Sequence, residues 1–136
     1  MTRDPAWPNL LVDFIEERRD RPFSWGSNDC CLFASDWIRL CTGIDPAADL
    51  RGRYHSALSA ARVMRSHGGV AGIVESIGGR LGLEPVTHAR AQRGDLVMQD
   101  NGLGNCLGIV LGPIAAFVAD RGLLFSPFVA SPCWRV

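Results

Sequence analysis

Lysine is absent from this chain: all fourteen positive charges are arginines, among them Arg18, Arg19 and Arg93. A GC-rich coding sequence accounts for that on its own. A surplus of either sign is absent too, because fourteen Asp and Glu leave a formal net charge of zero. That argues against a protein held to nucleic acid or to an acidic membrane by bulk electrostatics. Long apolar runs are also missing. The best candidate, residues 107–118, is broken by Gly108, Gly112 and Pro113, so no membrane span is expected. The first ten residues carry Asp4, Pro5 and Pro8 without an apolar stretch, so no signal peptide is expected. Pairs of Cys or His two to four residues apart, the usual spacing of zinc ligands, do not occur. Cys30 and Cys31 are adjacent, and adjacent helix residues point about 100° apart, which does not suit one shared metal. No cofactor is expected. An iron–sulfur group or metal held by cysteines distant in sequence is the alternative left open.

What is present is a composition for folding. Apolar residues make up 47% and charged residues 21%, which places the chain among globular proteins rather than disordered ones. A length of 136 residues suits a single domain, 1–136. The five cysteines (Cys30, Cys31, Cys41, Cys106 and Cys133) are odd in number, so they cannot all pair within the chain. The simplest expectation is a soluble protein made in a reducing bacterial cytoplasm, with free thiols.

Helical spacing dominates the first half. Residues 8–20 place Leu10, Leu11, Phe14 and Ile15 on one side, and Pro22 follows. Residues 30–40 form a more apolar helix with Phe33, Ala34, Trp37, Ile38 and Cys41 inward. Ser27, Asn28 and Asp29 all suit its start, and Thr42-Gly43 closes it. Residues 56–67 and 70–78 read as two shorter helices. From Gly94 the texture changes to short apolar runs at 95–99, 106–111, 115–118 and 123–125. Asp100-Asn101-Gly102 and Asp120-Arg121-Gly122 are hairpin-type links between them. Helices followed by an antiparallel meander make an α+β domain, N-terminal helices packed on a C-terminal antiparallel sheet.

Cys30 is the residue whose chemistry stands out. At a helix start, unpaired N–H groups and the helix dipole favour an anion, so a thiol there loses its proton more readily and becomes a better nucleophile. The same N–H groups suit the oxyanion of a tetrahedral intermediate. The plainer account of a single cysteine is a small buried hydrophobe, and Cys31, Cys41 and Cys133 fit it. Of the histidines, His67 suits the end of a helix and His88 a polar link after Pro85. His55 follows Arg53-Tyr54 in a loop. Each reads most simply as a surface residue. Arg93-Gly94-Asp95 reads as a turn entering a strand, not an adhesion motif, and Gly102-Leu103-Gly104 is too short for a phosphate loop.

Context changes the weight on Cys30. Phe23-x-Trp25-Gly26, Asp29-Cys30, Phe33, Arg93-Gly94-Asp95-Leu96-Val97 and Leu107-Gly108-Ile109-Val110-Leu111-Gly112 occur in that order. This order resembles the NlpC-type cysteine peptidases, papain-like α+β domains that cut peptidoglycan stem peptides. The likeness covers roughly residues 23 to 112. Thr42-Gly43-x-Asp45-Pro46-Ala47, Arg51-Gly52-x-Tyr54 and Trp134-Arg135-Val136 are similar to a small NlpC-related family encoded in tail gene clusters of phages, prophages and gene transfer agents. The resemblance implies a papain-like fold, with Cys30 at the nucleophile's position. It also implies a place in the virion tail tip (the baseplate or hub region), beside hub, distal tail or fibre proteins and in reach of peptidoglycan.

The departures matter as much. Where the peptidases carry the base histidine, two residues before the glycine of the second motif strand, this chain has Cys106. Cys31 and Leu32 follow the nucleophile position in place of serine and glycine. On the next strand only Val118 or Asp120 lies near the place of the histidine-orienting residue, and neither matches it well. A thiol cannot replace an imidazole that titrates near neutrality and returns its proton to the leaving amine. The resemblance therefore implies a tail-tip component with weakened or lost catalysis. The alternative is an active cysteine hydrolase of stem peptides that uses a substitute base, with His55 the candidate because its loop follows the Cys30 helix. A Cys30–Cys106 pair, joined as a disulfide or by a metal, is a further use of the two thiols. The apolar residues Leu123, Leu124, Phe125, Phe128, Val129 and Trp134 suit assembly into a larger particle.

Overall fold

A computed structural model describes residues 2–102, 104–128 and 131–136. Leu103 and Val129, which the sequence reading invoked, lie outside the described residues. Four helices precede or flank one antiparallel sheet: α1 (Trp7–Arg18), α2 (Cys30–Thr42), α3 (Ala57–Ser66) and α4 (Gly69–Leu81). The strands are β1 (Glu84–Val86), β2 (Leu96–Asp100), β3 (Asn105–Val110), β4 (Ile114–Ala119), β5 (Gly122–Pro127) and β6 (Cys133–Arg135). Their order is β1-β6-β2-β3-β4-β5. β2 to β5 form the expected meander. β1 and β6 were not expected; they add to its β2 edge by pairing Glu84 with Arg135 and Leu96 with Trp134. The α+β class is as expected from the sequence.

α2 is the central helix. Phe33, Trp37 and Cys41 are wholly buried on it, and it packs against α1, β3 and β4. Full burial of each such side chain contributes roughly 1.5–3 kcal/mol. Phe14 of α1 stacks on Phe33 at 5.4 Å between ring centroids. The Trp37 indole N–H donates to the Gly94 carbonyl at 2.8 Å, so the buried polar end of the ring is satisfied. Leu96, Leu107, Ile109, Ala116 and Trp134 face this helical core. Val97, Val110, Ala115, Phe117 and Cys133 form a smaller core on the other face, under Phe128.

Asp95 anchors the chain ends to the sheet. Its carboxylate is completely buried and accepts from Arg3, Arg135 and the backbone N–H groups of Gln92 and Val136. In the Arg93-Gly94-Asp95 run, Arg93 is exposed while Gly94 and Asp95 are buried where the chain enters β2. The apolar C-terminal residues form no contiguous exposed patch among the described residues. Phe128 and Trp134 are buried, Leu123 and Phe125 are half-buried, and Leu124 alone of these is exposed. Phe128 and Trp134 pack into the two cores.

β3 accommodates one residue only at position 108. A Cβ there would lie 2.5 Å from the Phe117 ring and 2.8 Å from the Ala116 carbonyl oxygen. Gly108→Ala is therefore expected to cost about 1–3 kcal/mol through overpacking, read from urea unfolding. Gly79→Ala in α4, where an added Cβ meets nothing within 4 Å, should be neutral or stabilising in the same assay.

Candidate functional site

The segment before α2 is built around one carboxylate. Asp29 caps the helix, its Oδ1 accepting from the Leu32 N–H at 3.0 Å. Its Oδ2 accepts from the Gly26 N–H at 3.0 Å and from the Tyr54 O–H at 2.8 Å. Asp29 is 1% exposed, and burial raises its pKa despite those three donors. Burial and the neighbouring carboxylate push the Tyr54 hydroxyl up in turn. Gly26 has φ +81°, and a Cβ on it would sit 2.3 Å from the Tyr54 carbonyl oxygen, so only glycine permits this approach. Asn28 closes the turn by donating to the carbonyls of Arg21 and Pro22.

The motif residues farther along brace the same construction. Arg51 donates to Asp36 on α2 and to Asp45, and Arg18 of α1 reaches Asp36 from the other side. Asp45 also accepts from the Ala47 N–H. The Arg51 guanidinium holds the Asp45 carboxyl below its ordinary value. The runs around 45–47 and 51–54 are therefore one scaffold that fixes the entry to α2.

Cys30 is the first residue of α2, and it and Cys106 both line a cleft of about 660 Å³. Cys30 packs against the helical core and Cys106 against the smaller core. Phe23, Trp25, Phe117 and Leu124 supply apolar walls. Phe23 and Trp25 meet edge to face at 4.7 Å. Hydrogen bonding from the Cys106 and Cys31 thiols, helped by the Leu107 and Cys31 backbone N–H groups, pulls the Cys30 thiol well below its ordinary value against the effect of burial. Hydrogen bonding to Cys30, burial and the Cys30 charge push Cys106 and Cys31 up. All five cysteines are free thiols; Cys31, Cys41 and Cys133 are buried, and Cys30 and Cys106 are partly exposed.

The histidines are elsewhere. His55 is exposed in the turn before α3, and its ring is not among the residues lining the cleft. The ring of His67 approaches the Val63 carbonyl at 2.9 Å at the end of α3, and His88 meets Phe128 edge to face. Val118 and Asp120, the positions weighed for a histidine-orienting group, both line the cleft, but without an imidazole to orient. Sequence reading missed Gln99. It lies opposite Cys106 in the β2–β3 register and lines the cleft. Its Oε1 is buried and accepts no hydrogen bond among the described residues. Its only sequence signal is a polar residue that breaks the apolar run of β2. Among the described residues, no group of three or more His, Cys, Asp or Glu is arranged to hold a metal. No helix among them is long and apolar enough to cross a membrane.

A family model described as Domain of unknown function (DUF6950) matches residues 2–136. No curated protein matches the chain.

Tyr54 offers a test of the carboxylate scaffold. Tyr54→Phe removes one of three donors to a buried carboxylate and should cost about 1.5–3 kcal/mol near neutral pH. Because burial raises Asp29, ionising it costs stability as pH rises through its folded pKa, and the tyrosine bond offsets part of that cost. The deficit of Tyr54→Phe is therefore smallest in acid and grows with pH. Urea unfolding of both proteins across that range reads it.

Proposed function

We propose that this chain, which belongs to the DUF6950 family, is a component of a phage-type tail tip with an NlpC-like fold whose catalysis is weakened or lost. The observation that carries the loss of catalysis is the cleft itself. Cys30 stands at a helix N-terminus as a nucleophile should, and Cys106, not an imidazole, shares its cleft. Amide hydrolysis needs a group that takes the thiol proton and delivers it to the leaving amine. A thiol raised by a neighbouring thiolate is too weak an acid to do that near neutrality. Placement in the tail, among hub, distal tail or fibre proteins, rests on the motif run from Phe23 to Tyr54 and on Trp134-Arg135-Val136.

A second reading, an active hydrolase of peptidoglycan stem peptides, has one observation in its favour: Cys30 opens α2 and its thiol is lowered well below its ordinary value. The two readings part on the leaving group. An activated ester departs without a proton, so Cys30 can be acylated by one even with no base beside it.

Stoichiometric acylation of Cys30 by a p-nitrophenyl ester is therefore expected, with stem-peptide cleavage no faster than in Cys30→Ala. Cys106→His should raise stem-peptide cleavage by about tenfold or more, short of the roughly 10²–10⁴-fold of a fully positioned acid–base group because no residue orients the new imidazole. Wild-type cleavage well above Cys30→Ala would establish the hydrolase reading instead. Purified tail particles should contain the chain; particles that lack it would refute the tail-tip placement.

A further inference from the structure

We propose that Cys30 and Cys106 form a thiol–disulfide exchange site for cationic low-molecular-weight disulfides, ending in an intramolecular Cys30–Cys106 bond. The inference rests on the cleft alone and stands whether or not the chain belongs to a tail.

Two partly exposed thiols from opposite halves of the fold, one on α2 and one on β3, line one cleft, and the acidity of each depends on the other. The other cysteines are excluded by position. Cys31 is 2% exposed, Cys41 and Cys133 are buried, and none of the three lines the cleft. A bond between the adjacent Cys30 and Cys31 would require the first turn of α2 to unwind, since neighbouring helix side chains diverge by about 100°. Charge selects the ligand. Asp100 and Asp120 line the cleft, and no Arg or His does. Ammonium groups flanking a disulfide are therefore drawn in, and carboxylates are repelled.

The exchange balances with the ligand as oxidant. The Cys30 thiolate attacks one sulfur of the disulfide, forms a mixed disulfide and expels the first small thiolate. With the Cys30 charge gone into the mixed disulfide, the Cys106 thiol passes its proton to the expelled small thiolate, and its sulfur attacks the Cys30 sulfur, expelling the second. Two protein thiols lose two electrons and two protons, and one small disulfide becomes two small thiols. The product leaves no free thiol lining the cleft and joins α2 to β3.

Cystamine is the probe, with oxidised glutathione as its anionic counterpart. Peptide mapping of the unreduced, cystamine-treated protein should give a Cys30–Cys106 linked peptide and an intact mass lower by two hydrogens. Cys106→Ser should stop at a single cysteamine adduct on Cys30, and Cys31→Ser should still form the linked peptide. At low salt the rate ratio of cystamine to oxidised glutathione should fall by about threefold or more when Asp100 and Asp120 are both changed to Asn. Five free thiols after treatment, a wild-type protein arrested at the Cys30 adduct, or a Cys30–Cys31 link would overturn the exchange site. A ratio unchanged by the Asn substitutions would overturn its preference for cations.

Discussion

The candidate site depends on a buried carboxylate that ends one chain segment and begins another. Asp29 caps α2, closes the turn at Gly26 and takes the hydroxyl of Tyr54, so three segments meet at its two oxygens. Burying a charge is costly unless hydrogen bonds replace its water, and here they come from two backbone N–H groups and one phenol. The position of Cys30 follows directly: the residue after the cap is the first of the helix, where the backbone N–H groups are unpaired by the helix itself. Change the carboxylate, and the cap, the turn and the reach of Tyr54 change together.

The sheet half is held by the same device. Asp95, also buried, gathers Arg3, Arg135 and the last residue, Val136, from distant parts of the chain. Between these two anchors runs the seam where α2 meets β3. It holds Cys30 on one side and Cys106 on the other, beside the buried carbonyl of Gln99. The fold thus brings a polarised thiol to a cleft and meets it with a second thiol. On the reading proposed here such a cleft suits sulfur exchange and acyl capture better than amide hydrolysis, because the leaving amine of an amide must receive a proton near neutrality.

Much of this was legible from residues alone. The four helices and the meander announce themselves by periodicity, and Ser27, Asn28 and Asp29 all read as caps, among which the structure selects Asp29. Cys30 and Cys106 stand out by position within the motif run. β1 and β6 were not legible. Each is three residues long, and Glu84 finds Arg135 only across 51 positions of chain, so no local pattern marks them. Asp95 looked like part of a turn because its partners lie far off in sequence. Gln99 looked like an ordinary polar strand residue, and its unpaired oxygen exists only once β3 lies beside it. The burial of Phe128 and Trp134 was not legible either, because composition does not say which face of a strand the core will cover.

The pH dependence of Cys30 alkylation by iodoacetamide, read by peptide mapping, tests the central claim most directly: a thiol activated by a helix start and a second thiol, with no imidazole partner. The expected profile is a single titration whose midpoint lies below the ordinary thiol value of about 8.5, unchanged in His55→Ala and raised in Cys106→Ala. A midpoint at or above the ordinary value, or a two-step profile that collapses to one step in His55→Ala, would contradict it.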